Sequence, residues 1–224
     1  MKNKILMLTL LLSVFIFSLV IIPMDSSAGG QRDFVVWEVK IVQGYVKVRL
    51  PDQKTYTKVN IGDKIPKNSY IVTGKNSFLE IRGVRDAYVI RFLEATSGKI
   101  EEITFDQTKM KVFEGNVFIQ ITDTMKIQKK VFLVTTPLIA AELEPQSAVY
   151  IDIKTSTFYA LKGRTHLYNA KTMNNVRPLE GPEAGTKVIL KPDSDPKTVE
   201  KSKEDPKKIL DIVNGATQWE ELKL

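Results

Sequence analysis

From Phe34 to about Lys191, apolar and polar residues alternate with a period of two. Val35, Trp37, Val39 and Ile41 alternate with Val36, Glu38, Lys40 and Val42, and Val46, Val48 and Leu50 alternate with Lys47 and Arg49. The pattern returns in Val117-Ile119-Ile121, Val149-Ile151-Ile153, Phe158-Ala160 and Val188-Leu190. Successive side chains of a strand point to opposite faces, so this spacing predicts strands with one face on a core and the other toward water. Phe132-Leu133-Val134 is apolar on both faces and is expected in the interior of a sheet. Turn signals separate the runs: Gln43-Gly44, Pro51-Asp52, Gly62-Asp63, Gly74-Lys75-Asn76, Ser97-Gly98, Gly115-Asn116 and Lys162-Gly163. Short strands joined by tight turns predict an all-β fold over residues 34–192, a two-layer sandwich or a roll. No stretch there carries a helical stripe, and a doubly wound parallel sheet needs crossover helices.

The ends of the chain read differently. Met1-Lys2-Asn3-Lys4 is a short basic start, Ile5 to Ile22 is almost wholly apolar, and Pro23 is followed by Ser26-Ser27-Ala28. That is the layout of a secretory signal peptide over 1–28, with cleavage after Ala28. The alternative is an uncleaved N-terminal anchor, since the run approaches the ~20 residues that span a bilayer. Either way the remainder is expected outside the cytoplasm, periplasmic or extracellular. Residues 193–205 read as an exposed linker, rich in Pro, Asp, Ser and Lys. Asp205-Pro206 then looks like an N-cap with proline at the first helical position. Ile209, Leu210, Ile212, Val213, Trp219 and Leu222 predict a short amphipathic helix over 206–224, packed on the β-domain or docked on a partner.

Composition narrows the chemistry. The 224 residues contain no cysteine and one histidine, His166. Disulfides, thiolate metal sites, a thiol nucleophile and a lipid-anchored cysteine are excluded. The formal charge is +7, and removal of Lys2, Lys4 and Asp25 with the signal leaves 31 basic against 25 acidic side chains, +6. A basic surface suits anionic partners. For an exported chain these are envelope proteins or an anionic cell-wall glycan, not nucleic acid. A membrane enters only if the N-terminal segment stays uncleaved.

The order of motifs resembles the FecR domain family. Gly44-Tyr45-Val46-Lys47-Val48 resembles its opening hairpin, and Val59-Asn60-Ile61-Gly62-Asp63-Lys64-Ile65 its Gly-Asp segment. Tyr70-Ile71-Val72-Thr73-Gly74-Lys75-Asn76-Ser77 resembles its Thr-Gly turn. Val112-Phe113-Glu114-Gly115-Asn116-Val117 and Phe132-Leu133-Val134-Thr135-Thr136-Pro137 are similar to two later units. The likeness covers about residues 34–192. It departs at Glu144-Pro145-Gln146, where the family has an Arg-Gly-Thr turn and proline cannot supply glycine's conformations. The family's named regulators pass a signal from an outer-membrane receptor to a sigma factor through a cytoplasmic arm. The four residues Met1–Lys4 cannot form such an arm, so the resemblance implies an exported FecR domain without it.

Catalytic constellations are sparse. No serine or carboxylate is placed beside His166 by the sequence, so a surface histidine is expected rather than a general base. Lys75 and Ser77 could form a Ser–Lys dyad but read as turn residues. Glu101-Glu102 and Glu142/Glu144 are candidate carboxylate pairs, although adjacent strand residues should face opposite ways. Asp193-Ser194-Asp195 supplies oxygens without a full calcium loop. No catalytic, cofactor-binding or metal-binding residue is therefore expected, and no enzyme. Two binding features stand out. One is the tyrosines Tyr45, Tyr56, Tyr70, Tyr88, Tyr150, Tyr159 and Tyr168, and the other is the basic cluster Lys126, Lys129 and Lys130. The sequence thus predicts a non-enzymatic exported binding or scaffold module. The alternatives are a membrane-anchored periplasmic signalling regulator and a glycan-active enzyme.

Overall fold

Most inward residues of the alternating runs meet in one core, although a bulge after Val39 turns Ile41 to the other face. Trp37, Val39, Val46, Val48, Ile71, Ile81, Ile90, Phe92, Ile100, Met110, Ile119, Phe132, Val149 and Phe158 are each essentially inaccessible to solvent. Burying a side chain of this size contributes about 1.5–3 kcal/mol. The computed structural model describes residues 37–83, 87–103, 107–122, 131–170, 186–189, 200–203, 205, 207–209 and 211.

The first strands are β1 (Trp37–Gln43), β2 (Val46–Arg49), β3 (Thr57–Lys58), β4 (Lys64–Ile65), β5 (Tyr70–Thr73) and β6 (Phe78–Gly83). Then come β7 (Tyr88–Phe92), β8 (Ser97–Ile103), β9 (Gln107–Glu114), β10 (Asn116–Ile121), β11 (Val131–Thr135) and β12 (Ile139–Leu143). The last are β13 (Ala148–Asp152), β14 (Thr157–Lys162), β15 (Thr165–Asn169), β16 (Thr186–Ile189) and β17 (Glu200–Lys203). Sheet A has the order β17-β16-β14-β13-β10-β7-β6-β1-β4, and sheet B the order β15-β12-β11-β9-β8-β5-β2-β3. The fold is the expected all-β sandwich. The chain passes back and forth between the layers: β6–β7 lie in A, β8–β9 in B, β10 in A, β11–β12 in B and β13–β14 in A. Among the described residues every ladder is antiparallel except β9–β11. The doubly apolar strand β11 sits inside sheet B, between β9 and β12.

Buried threonines close the corners where the chain changes layer. Thr73 Oγ1 donates to the Leu93 carbonyl at 2.5 Å and accepts from the Thr96 amide at 2.9 Å. Thr96 Oγ1 in turn accepts from the Asn116 amide at 2.9 Å. Gly115, at φ +85°, lies so close to Thr96 that an added Cβ would stand 2.5 Å from the Thr96 Cα. Only glycine meets both the left-handed backbone and this approach.

Three expectations are revised. The stretch read as a linker contains β17, which pairs antiparallel with β16. Ladder bonds come from the backbone, so a polar Glu-Lys-Ser-Lys strand can pair at an edge without an apolar face. At the departure from the family turn, the left-handed residue is Gln146, at φ +64°, directly after Pro145. Proline suits the first central position of such a turn and Gln146 takes the conformation that glycine would favour. The third concerns the outward residues of sheet A. Alternation sends them to water, yet Phe78, Leu93, Phe118, Ala148, Tyr150 and Leu161 form a second buried cluster. Ile209 joins it from a helical turn at residues 207–209 and 211. Asp205 caps this turn as expected, its Oδ1 accepting from the Lys207 amide at 2.9 Å. The rest of the 206–224 segment lies outside the described residues, as does the 1–28 signal segment.

Candidate functional site

Sheet A therefore offers little free face. Its outer side holds a fully buried ion pair, Arg91 Nε to Glu80 Oε2 at 2.7 Å, with both side chains at 0% exposure. Arg82 Nε approaches the other oxygen at 2.6 Å. Sheet B is different. Its outer side is lined by half-buried and exposed polar and aromatic residues, and cross-strand register gathers them into rows.

The row that matters runs Arg49–Tyr70–Lys99–Lys111 across β2, β5, β8 and β9. The Arg49 guanidinium sits 4.2 Å from the centre of the Tyr70 ring and 5.6 Å from that of Tyr56. The Lys99 ammonium is 5.4 Å from the Tyr70 ring. Phe113, the extra residue of a bulge opposite Ser97 and Gly98, stacks on Tyr70 at 6.4 Å and 16°. Beside them Lys47 lies 4.6 Å from the Tyr45 ring. Tyr45, Phe113 and Tyr56 are 58%, 43% and 40% exposed. Such cation–ring contacts contribute about 0.5–1 kcal/mol each at exposed sites, so they position the cations more than they stabilise the fold.

Charge separates this end of the sheet from the other. Lys109 is paired with Glu102 at 2.7 Å and Lys111 with Glu101 at 2.9 Å. Among the described residues, Lys47, Arg49 and Lys99 have no carboxylate partner. Arg49 Nε is in addition buried and without any hydrogen-bond acceptor. An unsatisfied buried donor costs about 1–3 kcal/mol.

The candidate catalytic residues are placed as follows. Glu144 does lie beside His166, with Oε1 2.8 Å from Nε2, because β12 pairs with β15. The sequence could not place that carboxylate, since the pairing joins residues 22 apart. His166 Nδ1 is buried with no partner, so no nucleophile stands on the second nitrogen. Glu142 accepts from the Tyr168 hydroxyl at 3.0 Å. Burial, with this carboxylate, raises the Tyr168 pKa to about 12. Glu101 and Glu102 do not face opposite ways. A bulge between Ile100 and Glu102 leaves both half-exposed, each on a lysine of the same face of β9. Ser77 is a turn residue, accepting from the Tyr45 amide at 2.8 Å and donating to the Lys75 carbonyl at 3.1 Å. Of the tyrosines, Tyr88 and Tyr150 are buried, the former against Trp37 and Phe132. Lys126, Lys129, Lys130 and Asp193-Ser194-Asp195 lie outside the described residues. Among the described residues no group of three or more His, Asp or Glu side chains could hold a metal ion. A cavity beside Thr136 and Ile151 has a volume of about 10 Å³, room for at most one water.

No protein-family model matches the chain, and no curated protein matches it. Two crystal structures of a candidate anti-sigma factor from Parabacteroides distasonis share its fold. Both are 16% identical with a TM-score of 0.51. The first match covers 65% of this chain and 65% of that one, and the second 65% and 64%. The chain thus spans just under two thirds of the length of these structures, and the likeness is one of fold.

Proposed function

We propose that this chain is a membrane-anchored regulator of envelope signalling. Its FecR-like sandwich would be the extracytoplasmic recognition module, and its N-terminal apolar segment would hold it at the inner membrane. The observation that carries the reading is the uncompensated cation–aromatic face of sheet B, borne by a sandwich similar to that of a candidate anti-sigma factor. Arginine and tyrosine are the residue types that dominate protein interfaces energetically. A non-catalytic role agrees with the neighbouring carboxylates, which are spent on lysines and on Tyr168 rather than held apart around a cleft. Deletion and overexpression of the full chain, each followed by transcript profiling, test the proposal. A discrete set of transcripts moving in opposite directions in the two strains is the expected result. Unchanged transcripts, or a mature N-terminus at Gly29 by mass spectrometry, would overturn it.

A further inference from the structure

Lys47 and Arg49 are alternate residues of one strand and share its outer face. Their stems are therefore about 6.8 Å apart, the repeat of alternate side chains on any extended polypeptide. Lys99 stands two strands away from Arg49 in the same row, about 9.6 Å across the sheet. None of the three has a carboxylate partner among the described residues, nor has Lys58, which faces Lys47 across β2 and β3, and the Arg49 Nε–H is buried with no acceptor. The rings fix their places. Arg49 and Lys99 both lie over Tyr70, and Phe113 stacks against that ring. With Tyr70 covered, the patch presents positive charge at polypeptide spacing beside the exposed rings of Tyr45, Tyr56 and Phe113. The sheet edge beside the patch does not compete for a strand: β3 is two exposed residues long and too short to template pairing.

We infer that the outer face of sheet B binds an extended acidic polypeptide segment, with carboxylates at alternate positions on Lys47 and Arg49 and a third acidic group on Lys99. The inference rests on the recognition reading above and names the chemistry of the partner. The Arg49 guanidinium then donates hydrogen bonds to a carboxylate of the bound segment. The exposed faces of Tyr45 and Phe113 flank the bound chain.

The test uses the full chain in detergent micelles and a fluorescent peptide of alternating glutamate and threonine. Its lysine–threonine counterpart and polygalacturonate serve as the other arms. Fluorescence anisotropy should show binding of the acidic peptide alone, weakening at least tenfold between about 0.05 and 0.5 M salt. Arg49→Met should weaken it about tenfold or more, and Lys99→Gln about three- to tenfold. Lys111→Gln, in the same row but already paired with Glu101, should change it less than twofold. Arg49→Lys keeps the charge and the fold but loses the forked donors, and should still weaken binding severalfold. No peptide binding, or equal effects of Lys111→Gln and Lys99→Gln, would sink the site. Polygalacturonate binding with the same Arg49 dependence would assign the face to glycan and overturn the polypeptide. Either failure, with transcripts still responding to deletion, would leave the signalling reading standing.

Discussion

The buried pair on sheet A permits a quantitative prediction. Glu80 and Arg91 face each other across β6 and β7, in register, and neither is reached by solvent. Phe78 lies beneath the guanidinium at 5.6 Å. Glu80→Gln keeps the shape of the side chain and removes its charge. Arg91 is then a buried cation facing a neutral amide, and removing one partner of a buried pair costs about 3–5 kcal/mol. Arg82, also bonded to Glu80, is a quarter exposed and can turn to water, so its share of the loss is small. Urea slopes for small proteins run at about 1–3 kcal/mol per molar. With a slope near the middle of that range, the unfolding midpoint should fall by about 1.5–2.5 M. The assay is urea unfolding followed by far-UV circular dichroism. The double change Glu80→Leu with Arg91→Met removes both charges and fills the space with apolar atoms. It should return most of the lost stability, because desolvation of the pair offsets much of its attraction. A Glu80→Gln cost below about 1 kcal/mol would refute the reasoning, as would a double variant no better than the single one.

Three further outcomes are expected. Gly62 and Gly115 are both left-handed, but a Cβ at Gly62 would meet nothing within 4 Å while one at Gly115 would meet Thr96 and the Ala95 carbonyl. Gly62→Ala should therefore cost about 1–2 kcal/mol of backbone strain, and Gly115→Ala about 1–3 kcal/mol more, read as thermal midpoints; equal costs would contradict the packing. Gln146→Gly should raise stability by about 0.5–1 kcal/mol, since glycine relieves the φ of +64° at a smaller entropic cost; a loss would show that the Gln146 side chain matters. Glu38 is held at a pKa of about 2, below its ordinary 4.5, by hydrogen bonds from Lys40 and then Lys64. A depressed folded pKa adds stability above the unfolded value, which is lost as pH falls from 4.5 toward 2. Wild type should lose more stability than Glu38→Gln across that window, and parallel acid limbs in the two proteins would refute it.

The strands were legible because each was a local statement. Val46-Lys47-Val48-Arg49 and Ala148-Val149-Tyr150-Ile151 carry their inward faces in their own spacing, and Asp205-Pro206 carries its cap. What escaped the sequence depends on register or on cover. The patch joins Arg49, Tyr70, Lys99 and Phe113, up to 64 residues apart, and no local pattern says which strands are neighbours. The same is true of Glu144 beside His166. Glu101 and Glu102 were misjudged because a single bulged residue breaks the period-two rule. Glu80 and Arg91 occupy polar positions of their strands, which alternation alone would send to water. They are buried because the outer face of sheet A is covered, and a period-two pattern reports which face a side chain joins, not whether water reaches that face.

That asymmetry between the sheets decides where recognition can occur. Sheet A is buried on both sides around its middle strands, and its buried charges are already neutralised by one another. A partner would have to displace the cover that keeps Phe78, Glu80, Arg91 and Phe118 from water to gain a surface there. Sheet B has one buried side, and its free side is itself divided. Toward β9 the lysines are matched by Glu101 and Glu102, and at β12–β15 the face carries the carboxylates of Glu142 and Glu144, beside Tyr168 and His166, and no unmatched cation among the described residues. Only toward β2 and β5 do described cations stand on aromatic rings without an anion. Matched charges have little to gain from a partner after desolvation, whereas unmatched ones raise both encounter rate and affinity for an acidic surface. The place where this fold leaves its electrostatics incomplete is thus the place where a second molecule is most favourably added.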